Sequence, residues 1–239
     1  MQQVQAEAFW DDVYTKLKTY VPDESDPALV SAMAHFGDIR GLRVLDLGCG
    51  DGNTSIFFAQ RGANVVAIDT SEVAIQSLTE FCTENSINNI KAVKCSAFDI
   101  DQLGPFDFVF GRMILHHLEP FGGFAEVLRK SIAPGGKAFF HENNAASDLL
   151  VWFRNNIVGK FGIPKYGDDD EFPLLPSEVK MLKNHFSVEQ DYPKMVFLSL
   201  ASVYFTKGKL NAPMQIIDGF LFKVPGMKRY SYQQYLMLS

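Results

Sequence analysis

Asp46, glycines at positions 48, 50 and 52, and a second acid at Asp69, nineteen residues beyond Gly50, form the group in this chain best suited to chemistry. The glycines let the chain turn sharply and bring bare backbone up to a ligand, because no Cβ stands in the way. A dinucleotide fingerprint, G-x-G-x-x-G, needs another glycine at position 53 to seat a pyrophosphate on a helix N-terminus. This chain has Asn53 there. Asp46 precedes the first glycine by two residues, where a carboxylate opposes a pyrophosphate but suits a ligand with an ammonium or sulfonium charge. Val65-Val66-Ala67-Ile68 leads into Asp69, and an acid at the end of a second strand accepts both hydroxyls of a ribose. The loop therefore reads as a nucleoside site without phosphate.

A second set of polar residues falls where later strands should end: Arg112, His116 and His117 after the fourth, and His141, Glu142 and Asn143 after the fifth. In an open α/β sheet those ends line the ligand crevice. Imidazole suits proton removal near neutrality, so the histidines are candidate bases, and Arg112 and Glu142 are candidate substrate-orienting charges or, alternatively, members of a buried ion pair. A zinc site built from His116, His117, His141 and Glu142 is disfavoured, since adjacent side chains seldom converge on one ion and no cysteine joins them. Cys49 has no basic partner nearby, and the turn asks only for a small residue. The run Asp168-Asp169-Asp170-Glu171 lacks the spacing of a calcium loop and reads as a solvated acidic loop.

These residues need a frame, and the pattern around them supplies one. From about residue 42 onward strand and helix signals alternate, the mark of parallel βαβ units. Strands are expected near 43–47, 64–68, 90–95, 106–110 and 137–142, with helices at about 53–61, 71–85 and 123–131. Gly104-Pro105 and Pro134-Gly135-Gly136 supply turns into the fourth and fifth strands. Ahead of the sheet, Trp10, Val13, Tyr14, Leu17 and Val21 share a helical face. Beyond the fifth strand the chain predicts a helix over about 148–160, another from about Ser177 and a strand around 186–192. Two apolar helical patterns follow between Phe197 and Pro225, then a last strand over 231–238. The expected division is an N-terminal helical cap at 1–40 and one main domain at 41–239, with 193–229 as a lid-like insert.

Composition limits what this frame does. At 239 residues, 47% hydrophobic, the chain fills a sizeable core. A net charge of −6 argues against affinity built on nucleic-acid phosphates. Three cysteines without C-x-x-C pairing suit a reducing compartment, and the first nine residues lack the features of a secretory signal, so a cytoplasmic protein is expected. From Tyr192 onward, however, six basic residues face one acid, and the remainder holds 16 basic against 27 acidic. Nine aromatics also lie between Tyr192 and Tyr235. The insert reads as a hydrophobic lid or dimer contact, or as an interfacial patch for an anionic membrane.

The motifs V44LDLGCGDG52, V65VAIDTS71, P105FDFVFGRMILHHL118 and L128RKSIAPGGKAFF140, in this order and spacing, resemble the class I S-adenosylmethionine-dependent methyltransferases, in the UbiG/UbiE-like small-molecule methyltransferase superfamily. The resemblance covers roughly Trp10 to Tyr192. It implies a Rossmann-like, seven-stranded, mostly parallel sheet in the order 3-2-1-4-5-7-6, with the last strand antiparallel. It further implies S-adenosylmethionine as cofactor, with contacts from Asp46, Gly48, Cys49, Gly50, Asp69, Thr70 and Gly111. The family often has an acid beside the adenine; here Ser96 departs from that pattern, leaving Ser96, Ala97 and Phe98, or Asp99, to hold the base. His116 and His117 become the catalytic candidates, although the histidine matching His117 often braces a turn. Tyr14, Arg112 and Glu142 become acceptor contacts, with no metal.

Phe110-Gly111-Arg112-Met113 stands where methylases of exocyclic amines carry a [D/N/S]-P-P-[Y/F/W] motif, so that chemistry is disfavoured. The expected activity is methyl transfer by in-line displacement to a small apolar or aromatic acceptor, oxygen before nitrogen or carbon, by a monomer or homodimer. A lipid-linked acceptor at a membrane surface, a nicotinamide-dependent oxidoreductase and a non-catalytic cofactor-binding protein are the rival readings.

Overall fold

The computed structural model describes residues 2–21, 23–160 and 172–239, residues 2–7 by backbone alone. The acidic run at 168–171 lies outside the described residues. Seven strands form one sheet in the order β3-β2-β1-β4-β5-β7-β6. They are β1 (Arg43–Leu47), β2 (Asn64–Asp69), β3 (Ile90–Lys94), β4 (Phe106–Arg112), β5 (Ile132–Asn143), β6 (Val188–Asp191) and β7 (Gln233–Leu238). The first five pair in parallel, while β7 pairs antiparallel with both β5 and β6. This is the Rossmann-like order the motifs imply.

The central strands are apolar on both faces because helices cover both faces. On one side Val44, Phe108, Phe110 and Phe139 pack against α2 (Pro27–Phe36) and α3 (Asn53–Gln60). Phe110 stacks on Phe139 with centroids 5.9 Å apart, and Phe58 meets Phe110 edge-on at 5.2 Å. On the other side Leu45, Leu47, Val109 and Phe140 pack against α5 (Phe121–Ser131) and α7 (Pro176–Leu182). The strand order reverses between β1 and β4, which opens a crevice above their carboxyl ends.

Three local differences separate the structure from the expected pattern. α1 (Gln2–Lys16) stops short of Leu17 and Val21, which are exposed at 48% and 50%. Tyr20 instead donates its backbone N–H to the Asn53 side chain at 2.8 Å, so the chain is pulled onto the start of α3 and leaves helical geometry. α2 lies outside the expected elements, yet its signal is local: Asp26 caps Ala28 and Leu29 at 2.9 and 3.1 Å, with Pro27 in the first turn. β5 begins at Ile132 rather than 137, because Pro134-Gly135-Gly136 is an excursion within the strand. Phe106 pairs with Ile132 and Phe108 with Lys137 across it.

α4 (Glu72–Glu84) starts at the Ser71 cap and α6 (Asp148–Asn156) at the Ser147 cap. Between β6 and β7 lies a hairpin of α8 (Leu198–Thr206) and α9 (Asn211–Leu221). Buried Asp218 of α9 ties the two together by accepting the N–H groups of Phe197, Leu198 and Ser199 at 2.9 to 3.2 Å. Among the described residues no helix is long and apolar enough to cross a membrane.

Candidate functional site

At the end of β1 the backbone enters a loop in which Gly48, Gly50 and Gly52 all adopt positive φ, at 68°, 49° and 77°. A Cβ at Gly48 would lie 2.9 Å from the Ile114 side chain, and one at Gly50 would lie 2.8 Å from the Tyr14 hydroxyl. The glycines thus serve both the turn and the close approach of neighbours.

Three carboxyls surround this loop. Asp46 is buried beneath it and accepts from the hydroxyls of Thr54 and Ser55, at 2.5 and 2.6 Å, in the first turn of α3. Asp69, at the end of β2, accepts from Gly50 N at 3.0 Å and Ser71 N at 2.9 Å. Asp51 accepts from the Asn53 amide at 2.6 Å. Burial pushes all three above the ordinary carboxyl range, Asp46 to about 6. Removing three acids from water, with no ion-pair partner for them among the described residues, makes an electronegative recess that favours a positively charged ligand.

α1 covers the recess. Its Asp11 accepts from the Ser71 hydroxyl, Trp10 stacks on Tyr14, and Tyr14 reaches the loop. Burial and the neighbouring Asp69 push the Tyr14 hydroxyl well up, so it remains a protonated donor. The Cys49 thiol is likewise pushed well above its ordinary value, first by burial, which removes it as a nucleophile and leaves its backbone as the useful part.

After β3, Ser96 caps a 3-10 turn (Ala97–Gln102) by accepting from Phe98 N at 3.2 Å, and the Phe98 ring stands edge-on to Phe124. Asp99 is exposed and accepts from the Gln102 side chain. Thr70 follows Asp69 directly, at the carboxyl end of β2. Gly111 pairs with Leu47 in the sheet, and a Cβ there would lie 2.7 Å from the Phe140 ring, so packing alone calls for glycine.

Glu142 takes the buried alternative and not the substrate-orienting one. It is 0% exposed, and one oxygen accepts from Ile114 N at 2.8 Å and Leu115 N at 2.7 Å. Its other oxygen lies 2.7 Å from His116 Nδ1, which donates to it. The carboxylate therefore faces the 3-10 turn Leu115–His117 and holds it shut. His116 is buried with it, its side chain 1% exposed, while the His117 ring lies 4.1 Å from that of His116 and edge-on to Trp10. Of the two histidines, His117 is the one in contact with α1.

Arg112 pairs with Asp26 at 2.8 Å, a half-buried ion pair between the end of β4 and the α2 cap. Its register neighbour on β5 is His141, in edge-on contact with Tyr235. Neither ring nitrogen of His141 has a hydrogen-bond partner among the described residues. Burial, with Arg112 adding to it, pushes His141 down to about 4, so it is neutral near pH 7. Sequence reasoning missed Asp11, Asp26 and the Thr54-Ser55 pair. The Asp-Pro step and the hydroxyls right after the glycine turn were the available signals for the last two; Asp11 had none, since its partner is sixty residues away.

The profile of the methyltransferase domain family matches residues 7–185. The chain is 27% identical over 179 residues to the ubiquinone biosynthesis O-methyltransferase of Rickettsia bellii, covering 70% of each protein. Among solved structures it resembles a putative sarcosine dimethylglycine methyltransferase from Galdieria sulphuraria, with TM-score 0.59, 13% identity and coverage of 98% and 97%. It also resembles the magnesium protoporphyrin IX methyltransferase of Synechocystis with bound SAH, with TM-score 0.57, 17% identity and coverage of 98% and 83%. At these identities the solved structures speak to the fold alone.

Proposed function

The chain belongs to the class I S-adenosylmethionine-dependent methyltransferases, and from that footing we propose that its acceptor is a hydroxyl oxygen on a small apolar or aromatic molecule. The observation that carries the site assignment is the recess of three raised carboxyls around a glycine loop closed by Tyr14. Its donor set fits the cofactor: an acid for ribose hydroxyls, bare backbone beside it, and anionic character for a cationic methionine end. The choice of oxygen is supported by the relative at 27% identity, which is named an O-methyltransferase.

S-adenosylmethionine supplies an electrophilic methyl group on a positively charged sulfur. In this proposal Asp69 and Thr70 hold the ribose, while Gly48, Cys49 and Gly50 present backbone to the methionine end above Asp46. Ser96, Ala97 and Phe98 flank the adenine, and Gly111 keeps the floor of the crevice low. His117 takes the proton that an acceptor hydroxyl must lose, and buried His116, fixed by Glu142, positions it. Arg112 and Tyr14 orient the acceptor, and α1 excludes competing water. The cap of residues 1–40 acts as a cover on the main domain, and the hairpin lies within the 193–229 insert between β6 and β7.

Calorimetric titration with S-adenosylhomocysteine tests the site, and binding is expected; no heat at millimolar ligand would end the reading. Transfer of labelled methyl to phenols and catechols, and not to matched amines, tests the acceptor class. A thermal shift with NAD but not with S-adenosylhomocysteine would restore the oxidoreductase alternative.

Asp46 adds a pH dependence. Its carboxyl is pushed up to about 6, so it is largely protonated below that value and ionised above it. A cationic methionine end favours the ionised form, so binding must expel the proton at low pH. Cofactor affinity should fall by up to about tenfold per pH unit below about 6 and level off above it. Asp46→Asn should flatten this profile in titrations from about pH 5 to about pH 8; an unchanged slope would remove Asp46 from the role.

A further inference from the structure

The hairpin between β6 and β7 presents features that the site does not use. Along α9 and just beyond it, Ile216, Ile217, Phe220 and Val224 recur at spacings that keep them on one side, and all four are exposed, Ile216 at 63% and Phe220 at 65%. Asp218, the one acid between Tyr192 and Ser239, is turned inward and spent on the α8 cap. The cations are not withdrawn: Lys207, Lys209, Lys223, Lys228 and Arg229 are all exposed. Lys223 Nζ lies 6.0 Å from the Phe220 ring and Lys228 Nζ 4.5 Å from that of Phe222. An open hollow of about 480 Å³ beside them is lined by Phe222, Lys223, Val224, Pro225, Gly226 and Lys228.

The geometry points to an anionic lipid surface as the partner of this face. The apolar side chains enter the boundary between headgroups and acyl chains, and the lysines and arginine beside them meet lipid phosphates. Charge complementarity selects this occupant. The rest of the chain carries 16 basic against 27 acidic residues, so an anionic bilayer repels the body and attracts only the hairpin, which sets one orientation. A second copy packed on the same face would bring two cationic patches together, an arrangement that like-charge repulsion opposes. The docking face stands independently of the acceptor and of methyl transfer.

Sedimentation of the full chain with vesicles of phosphatidylglycerol and phosphatidylcholine tests it. Binding is expected at low salt, weakening as salt rises, and absent with phosphatidylcholine alone. Each basic residue near such a surface contributes roughly a fivefold factor, so Lys223→Glu with Lys228→Glu should lower partitioning by at least about 25-fold. Ile216→Ser with Phe220→Ser should lower it by about tenfold or more. Both pairs are exposed, so circular dichroism and S-adenosylhomocysteine affinity should stay at the parent values. No sedimentation at low salt, or binding unmoved by either pair, overturns the inference. So does a dimer in analytical ultracentrifugation that Ile216→Ser with Phe220→Ser converts to monomer, since the face would then belong to a second copy. Cofactor titration on the same samples reads the methyltransferase site separately from the lipid face.

Discussion

Glu142→Ala should cost about 3–5 kcal/mol of folding stability, because it leaves buried donors unpaired at about 1–3 kcal/mol each and opens a void. The carboxylate has no exposure and receives three donors: Ile114 N, Leu115 N and His116 Nδ1. Alanine leaves two buried backbone N–H groups and an imidazole without their acceptor, and opens a void in the packed end of β5. Glu142→Gln keeps one oxygen for the two N–H groups but turns an amide toward His116, forcing that ring to accept instead of donate. Its cost should be smaller, about 1–2 kcal/mol. Urea denaturation of the parent and both variants measures the difference. An alanine cost below about 1 kcal/mol would mean that water replaces the carboxylate and that the 3-10 turn is not held by it. Turnover should fall in both variants while cofactor affinity changes little, because the carboxylate acts on the histidine turn and not on the glycine loop.

Asp69→Ala is expected to have the largest effect on binding. Loss of charge-assisted hydrogen bonds to ribose hydroxyls should weaken S-adenosylhomocysteine by about 1–3 kcal/mol, or roughly fivefold to 150-fold in Kd. Asp69 also ties the loop to the sheet through Gly50 N and to the start of α4 through Ser71 N. Part of the loss therefore comes from a loop that no longer holds its shape. Thermal unfolding of the ligand-free variant reports that part, and calorimetry reports the total. Unchanged affinity would place the ribose elsewhere in the crevice.

Much of this frame was readable because its signals are local. The apolar run Val44-Leu45, the alternate glycines and the run ending in Asp69 each depend on neighbours a few residues away, and β1, β2 and α3 appear within a residue or two of expectation. The misreadings have a common origin. The helical face running from Trp10 to Val21 is interrupted because Asn53, 33 residues from Tyr20, captures its backbone N–H. Periodicity cannot register a competitor that distant.

The roles of the polar residues divide in the same way. The sequence alone determined the fold class, the glycine turn after β1 and the two acids that flank it, since turn geometry and strand ends are written into short segments. Only the tertiary structure decided that Glu142 braces a turn instead of meeting an acceptor, that Arg112 pairs with Asp26 across 86 positions, and that Asp218 turns inward and leaves the hairpin cationic. Those outcomes depend on strand register and on which sheet face a side chain joins. A slip of one residue reverses the face, so no local pattern can carry that information.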